Sequence, residues 1–116
     1  MEPTIKLSKK EVNNIIIFYL QWELDETNAD KTYQQIIGDI WDFKEKKIVF
    51  NLNGLIYINS KSIWYLSAIY SDLEDNDGCM SICNCEDSIK EILELSWLNN
   101  FVPITETEKE AINVVS

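Results

Sequence analysis

The order of hydrophobic and polar positions along this chain divides it into segments of two different periods. Runs of consecutive β-branched and aromatic residues, apolar on both faces, are typical of strands buried on both sides of a sheet. The predicted strands span Thr4–Leu7, Asn14–Gln21, Ile48–Leu52 and Cys79–Cys85, with a short apolar run at Ile56–Ile58 and an extended edge piece at Phe101–Ile104. The charged stretch Lys9–Glu11 is expected to turn the chain after the first strand.

Other segments follow the 3.6-residue period of an amphipathic helix. The first helix is expected to begin at Thr27 or Asn28, residue types that cap helices. Its predicted buried stripe comprises Ala29, Tyr33, Ile36, Ile37, Ile40 and Trp41. The second helix follows Ser60, and its predicted stripe comprises Ile63, Leu66, Ile69, Tyr70 and Leu73.

Two further helices are predicted near the C-terminus. One opens at Asp87 or Ser88, and the last spans Thr107–Val115 with Thr107 and Glu110 spaced as a capping box. Alternation of strands and helices after an opening hairpin predicts an α/β fold, a small, mostly parallel or mixed sheet of four to five strands covered by about four helices. No linker or repeat interrupts the chain, so residues 1–116 are expected to form a single domain.

Charge composition excludes several classes of function. The net charge is −10, and a nucleic-acid-binding surface needs a basic face, so no nucleic acid partner is expected. All ten basic residues are lysine, because the chain has neither histidine nor arginine. Without an imidazole base or a guanidinium group, an enzyme is not expected, and no metal or other cofactor is predicted. No apolar run is long enough for a membrane span and no secretion signal is evident, which predicts a cytoplasmic protein.

Cys79, Cys83 and Cys85 lie close together in the sequence. Their spacing lacks a Cys-x-x-Cys pair, and no histidine is present to complete four metal ligands. If the whole segment is a strand, all three thiols point to one face, since their numbers are all odd. Buried structural cysteines are therefore the favoured interpretation.

The boundary at Asn59-Ser60 is the most informative feature for function. An apolar run ends there and an amphipathic helix begins, so a hydroxyl at Ser60 lies at a helix N-terminus, where free backbone N–H groups favour an anion. A phosphate on Ser60 would be stabilised at that position, which makes Ser60 a candidate phosphorylation site and Ser62 the runner-up. The alternative is that Ser60 serves only as a helix N-cap, worth about 1 kcal/mol.

Two motifs in this order resemble the STAS family, named after sulphate transporters and anti-sigma-factor antagonists. Glu23-Leu24-Asp25 resembles the Gly-Glu-Leu-Asp of that family, with Trp22 in place of the glycine. Residues 51–60, NLNGLIYINS, resemble the family pattern Asp-Leu-Ser-x-Val-x-Phe-x-Asp-Ser. A third stretch, residues 93–98, resembles a Leu-x-x-Ser-Gly-Leu-like segment. The resemblance extends from about Thr4 to the C-terminus.

The resemblance implies a protein-interaction module like an anti-sigma-factor antagonist. Such a domain binds a serine kinase that is also an anti-sigma factor, which releases a sigma factor for transcription. The kinase phosphorylates the serine that matches Ser60 and then dissociates, and a phosphatase resets the domain. The partner-binding residues expected here are Asn59, Ser60, Lys61, Ser62, Trp64, Glu23 and Asp25.

Departures from the family pattern support a second hypothesis. Asn59 replaces an aspartate, Lys61 adds a cation beside Ser60, and Ser62 and Trp64 replace small residues. The alternative is a constitutive STAS-like subunit of a larger assembly, such as a stress-signalling or lipid-transport complex. The sequence leaves open whether Trp64 covers the sheet or faces a partner.

Overall fold

The computed structural model describes residues 4–116, which form six strands, four α-helices and one short 3-10 helix. The strands are β1 (Ile5–Val12), β2 (Ile15–Leu24), β3 (Lys47–Asn51), β4 (Leu55–Ile58), β5 (Cys79–Cys83) and β6 (Ile104–Thr105). The helices are α1 (Ala29–Ile40), α2 (Ser60–Asp75), α3 (Asp87–Leu95) and α4 (Glu108–Val115), and the 3-10 helix η1 spans Trp97–Asn100. The predicted α/β class and the helices are confirmed, and the sheet has six strands, one more than the upper prediction.

The sheet has the order β1-β2-β3-β5-β6, and β4 also pairs with β2. Among the strands within residues 4–116, β1 and β2 pair antiparallel and the other pairs are parallel. β3 pairs with the first half of β2, over Ile15–Tyr19, and β4 pairs with its last three residues, from Trp22 to Leu24. β2 therefore pairs with three other strands.

The opening hairpin differs from the prediction. β1 continues through the stretch Lys9–Glu11, which is not a turn, and the chain reverses at Asn13 and Asn14, with φ of 49° and 69°. Asparagine tolerates positive φ, and two such residues in succession match the twist of a two-residue hairpin. The lysines of β1 are exposed on the edge strand, where charge discourages pairing with another chain.

Helices cover the two faces of the sheet unequally. The main apolar core joins one sheet face to α1, α2 and α3, and the Phe18 and Phe50 rings stack in it with centroids 5.5 Å apart. The opposite face holds a smaller cluster, formed by Ile15, Ile17, Val49, Cys83, Ala111 and Val115, which seats α4. Because helices cover both faces, the strands β2, β3 and β5 are buried on both sides, which explains why their sequences are almost continuously apolar.

Two predictions about side-chain orientation are wrong. Trp41 is 86% exposed rather than buried in the α1 stripe, because α1 ends at Ile40 and Trp41 adopts a φ of 66°. Cys85 does not share a face with the other two thiols. β5 ends at Cys83, Asn84 has a φ of 56°, and Cys85 packs against the main core, whereas Cys79 and Cys83 face α4.

The cysteines of β5 and of the segment after it are protected by burial. Burial raises the pKa of the Cys83 thiol to about 12 and that of Cys85 to about 11. Because the thiolate is the metal ligand and the nucleophile, both thiols are unreactive near neutral pH in the folded state. Their geometry suits a packing role.

A polar cluster fixes α4 to the sheet. The Glu108 carboxylate accepts hydrogen bonds from the Tyr19 hydroxyl at 2.7 Å and the Asn51 side-chain amide at 3.1 Å. Lys10 lies 3.6 Å from the other carboxylate oxygen. Thr107 caps α4 by accepting from the Glu110 N–H at 3.2 Å, as the capping box predicts. Glu108 therefore joins three strands to α4.

This cluster gives a pH-dependent prediction for Asn51→Asp, which installs the residue of the family pattern. Asn51 is only 7% exposed, so a new carboxylate there replaces a donor to Glu108 with a like charge. We expect a loss of about 1–3 kcal/mol in unfolding free energy at pH 7, measured by urea denaturation.

Repulsion raises the folded-state pKa of the carboxylate pair, so the deficit should shrink as pH falls below about 5 and one carboxyl group becomes protonated. The double variant Asn51→Asp/Glu108→Gln is the control and should recover most of the loss at pH 7. An equal deficit in the single and double variants would show that charge repulsion is not the cause.

Candidate functional site

The two sequence motifs meet at one edge of the sheet. Glu23 pairs with Tyr57 and Leu24 with Ile58 across the parallel β2–β4 ladder. The next residue, Asn59, donates its backbone N–H to the Leu24 carbonyl at 3.0 Å. The end of β2 therefore sets where α2 begins.

Asn59 is the cap of α2. Its backbone is extended (φ −88°, ψ 167°), and its side-chain oxygen accepts the N–H of Ser62 at 2.9 Å. Ser60 is the first residue of the helix, so the N-cap role considered for Ser60 belongs to Asn59. No acidic residue lies in the first turn of α2, so the helix dipole is uncompensated there.

The two candidate serines differ in exposure. Ser60 is exposed, and its hydroxyl makes no hydrogen bond with the described residues. Ser62 is 4% exposed, and its hydroxyl has no hydrogen-bond partner among residues 4–116. Of these two serines, Ser60 is therefore the one whose hydroxyl a second protein can reach without a local rearrangement of the helix.

Lys61 is held by an ion pair between α1 and α2. Its Nζ lies 2.7 Å from Asp30 Oδ1, and the same oxygen accepts a hydrogen bond from the Tyr65 hydroxyl. Tyr65 also stacks on Tyr33, with centroids 4.1 Å apart. Hydrogen bonds from Lys61 and then Tyr65 lower the pKa of Asp30. Because the pair is exposed, its stabilising effect is small.

Asp25 and Asn28 order the loop between β2 and α1. The Asp25 carboxylate accepts from the Thr27 hydroxyl at 2.6 Å and from its N–H at 2.9 Å, and these bonds lower the pKa of Asp25. Asn28 precedes α1, but its side chain donates to Thr4 Oγ1 and to the Glu23 carbonyl instead of capping. A loop role for Asp25 is what the sequence favours, whereas the bridging role of Asn28, predicted as a possible cap, is seen only in the structure.

Apolar and acidic groups surround the start of α2. Trp64 is 65% exposed and lies one turn after Ser60, on the same helix face, so it does not serve mainly to cover the sheet. Ile56 and Tyr57 are 64% and 44% exposed. Tyr57 also lines an open cleft with Glu23, Asp25, Glu26 and Thr27. This surface combines exposed aromatic rings with carboxylates.

Trp22 has the backbone of a glycine. Its φ is 82°, a region that side chains disfavour, and its N–H donates to the Gly54 carbonyl at 2.8 Å. The pairing register of β2 with β4 shifts by one residue between Trp22 and Glu23. Glycine adopts a positive φ without cost, which gives a physical reason for the glycine of the family pattern at this position. In this chain the position is occupied by Trp22, whose indole is 45% exposed.

The STAS domain profile matches residues 6–111 of this chain. The chain belongs to the STAS family. It is 22% identical, over 93% of its length and 92% of the relative, to the anti-sigma F factor antagonist of Paenibacillus polymyxa.

Solved structures share the fold of this STAS domain. An anti-sigma factor antagonist from Mycobacterium paratuberculosis superposes with a TM-score of 0.85 at 19% identity, covering 96% of this chain and 93% of that one. The phosphorylated form of the Bacillus cell fate determinant SpoIIAA superposes with a TM-score of 0.73 at 20% identity, covering 96% and 100%. The fold of an anti-sigma-factor antagonist is therefore shown.

Other kinds of site find no support in the described part of the chain. Residues 4–116 bring together no group of three or more cysteine and acidic side chains able to hold a metal ion. Nor does any helix within these residues have the length and apolar character to cross a membrane.

Strain at Trp22 can be measured with two substitutions. Trp22→Ala and Trp22→Gly both remove the indole, but only glycine adopts the positive φ without cost. We expect Trp22→Gly to be more stable than Trp22→Ala by about 1 kcal/mol in urea denaturation.

The matched control is Ser8→Gly against Ser8→Ala in β1, at an exposed position that has no positive φ. There glycine should be the less stable variant by about 0.5–1 kcal/mol. If the alanine variant is the more stable one at position 22 as well as at position 8, Trp22 is not strained.

Proposed function

We propose that this STAS domain is a phosphorylation-controlled interaction module in the cytoplasm. In its unmodified form it binds a serine kinase that acts as an anti-sigma factor, and binding frees a sigma factor. The kinase phosphorylates Ser60, the complex dissociates, and a phosphatase restores the unmodified form. The domain itself catalyses nothing in this scheme.

The observation that carries the proposal is the exposure of Ser60 at the first position of α2, beside the buried Ser62. A kinase must reach the hydroxyl oxygen, and Ser60 satisfies that requirement with the fold intact. Burial of Ser62 argues against it as the acceptor, because its modification would require the start of α2 to open.

Electrostatics supports a switch that acts on the partner and leaves the fold intact. A phosphate of nearly two negative charges at Ser60 would lie at the positive end of the helix dipole, which stabilises α2. Lys61 offers a cation, although it is already paired with Asp30 at 2.7 Å. The added charge would therefore be tolerated within the domain and would disrupt a packed contact by repulsion and desolvation.

The proposed contact surface lies around Ser60. Trp64 on the same helix face and Tyr57 at the end of β4 are exposed aromatic residues, the type that most often anchors protein interfaces. Asn59, Lys61 and Glu23 complete its polar rim. Asp25 is used within its own loop, so we assign it to positioning that rim.

The direct test uses the wild type, Ser60→Ala, Ser60→Asp and Ser62→Ala as parallel baits in the native lysate. Binding is compared after ATP is removed, so that the kinase cannot modify the wild type and dissociate, and phosphorylation is followed in a second sample to which ATP is added. Aspartate suits the first turn of a helix, so Ser60→Asp adds charge without loss of α2. We expect a kinase-like protein bound to the wild type, Ser60→Ala and Ser62→Ala and at least about tenfold depleted on Ser60→Asp, a difference of about 1.4 kcal/mol or more. Mass spectrometry should locate phosphate on Ser60 and still detect it in Ser62→Ala.

A second outcome would favour the constitutive subunit. If all four baits retain the same partners, and Ser60 stays unmodified with the kinase and ATP present, phosphorylation does not control binding. The exposed aromatic surface and the Asp30–Lys61 ion pair would then belong to a permanent interface in a larger assembly.

A further inference from the structure

An exposed apolar patch lies between the C-terminal halves of α2 and α3. Trp97 and Phe101 contact each other edge to face, with centroids 5.4 Å apart, and Phe101 also meets Tyr70 of α2 at 6.0 Å. Leu95 lies two residues before Trp97 and is 83% exposed, while Trp97 and Phe101 are 48% and 54% exposed. We call these four residues the η1 patch.

The backbone beneath the η1 patch is held firmly. Leu98 is fully buried, and its carbonyl accepts the N–H groups of Phe101 at 3.1 Å and Val102 at 2.9 Å. Ser96 caps η1 by accepting from the Leu98 N–H at 3.3 Å. The exposed rings therefore sit on a fixed turn, and ordering them on binding costs little entropy.

Uncompensated negative charge surrounds the patch. Glu74 lies close enough to Tyr70 to raise the pKa of its hydroxyl, after the larger effect of burial. Glu91 lies one helical turn before Leu95, and Glu94 directly precedes Leu95 in the sequence. The nearby cation Lys90 is already 2.8 Å from Glu106. The C-terminal turns of both α2 and α3 lack a basic residue, so two negative dipole ends add to the field.

From this arrangement we propose that the η1 patch docks a cationic amphipathic helix of a partner protein. The apolar face of such a helix would cover Leu95, Trp97 and Phe101, and its lysines or arginines would meet the carboxylates and helix ends. A second copy of this chain, with its net charge of −10, or an anionic membrane would bring like charge to the same rim.

The patch is separate from the surface around Ser60. Tyr70 lies ten residues after Ser60, which is about 15 Å along α2. The two surfaces therefore occupy different ends of the helix layer, and the proposal does not depend on phosphorylation of Ser60.

A designed peptide tests the docking site. The probe is an 18-residue fluorescein-labelled leucine–lysine peptide with all leucines on one helical face, and binding to the full chain is followed by fluorescence anisotropy. We expect Leu95→Ser to weaken binding about tenfold, because its exposed side chain is lost from the contact. Trp41→Ser removes another exposed apolar side chain far along the sequence and should leave binding unchanged.

The charge arm compares Glu91→Gln/Glu94→Gln with Glu11→Gln/Glu26→Gln, two exposed carboxylates on β1 and on the loop before α1. Each double variant changes the net charge from −10 to −8, so only the position of the charge differs. We expect the first pair to weaken binding at least about fivefold more than the second at low salt, and the difference to shrink as salt is added.

Several results would overturn the proposal. Equal weakening by Leu95→Ser and Trp41→Ser, or by the two charge pairs, would mean that the peptide binds the acidic surface without a site. Equal affinity for a shuffled peptide of the same composition would mean the same. Self-association in sedimentation velocity that is abolished by Leu95→Ser would assign the patch to a second copy of this chain.

Discussion

Strand β2 is hydrogen-bonded along both edges, to β1 on one side and to β3 and then β4 on the other. This double pairing constrains most of the molecule. It buries Ile17 and Phe18 completely and fixes two sheet faces to which the helices pack. It also forces one irregularity, the register shift after Trp22, where the partner of β2 is β4.

The candidate site is a consequence of that irregularity. Leu24 receives the Asn59 N–H, so the end of β2 determines where β4 stops and where α2 starts. The pairing of β2 with β4 therefore brings the strained Trp22 to the same end of the sheet as the capped start of α2 and the exposed Ser60. Strain at a non-glycine residue persists where the surrounding structure holds it, as the pairing of β2 does here.

The net negative charge of the domain affects which partners each of its surfaces attracts. With a net charge of −10, the domain attracts cationic partners and repels anionic ones. At Ser60 a phosphate would stabilise the helix that carries it, and it would disrupt a packed contact through its desolvation and through repulsion of any carboxylate that faces it. At the η1 patch the surrounding negative charge favours a basic helix as the partner. The two surfaces lie at different ends of α2, so they could be occupied independently.

The sequence by itself determined the α/β class, the helices and the approximate position of the Ser60 boundary, because periodicity and caps are local properties. The tertiary structure decided what depends on distant neighbours. The end of α1 turned Trp41 outward, strand pairing prolonged β1 past Lys10, and the placement of α2 on the sheet buried Ser62 while exposing Ser60. Burial and strand register come from contacts between segments remote in sequence, which no local pattern encodes.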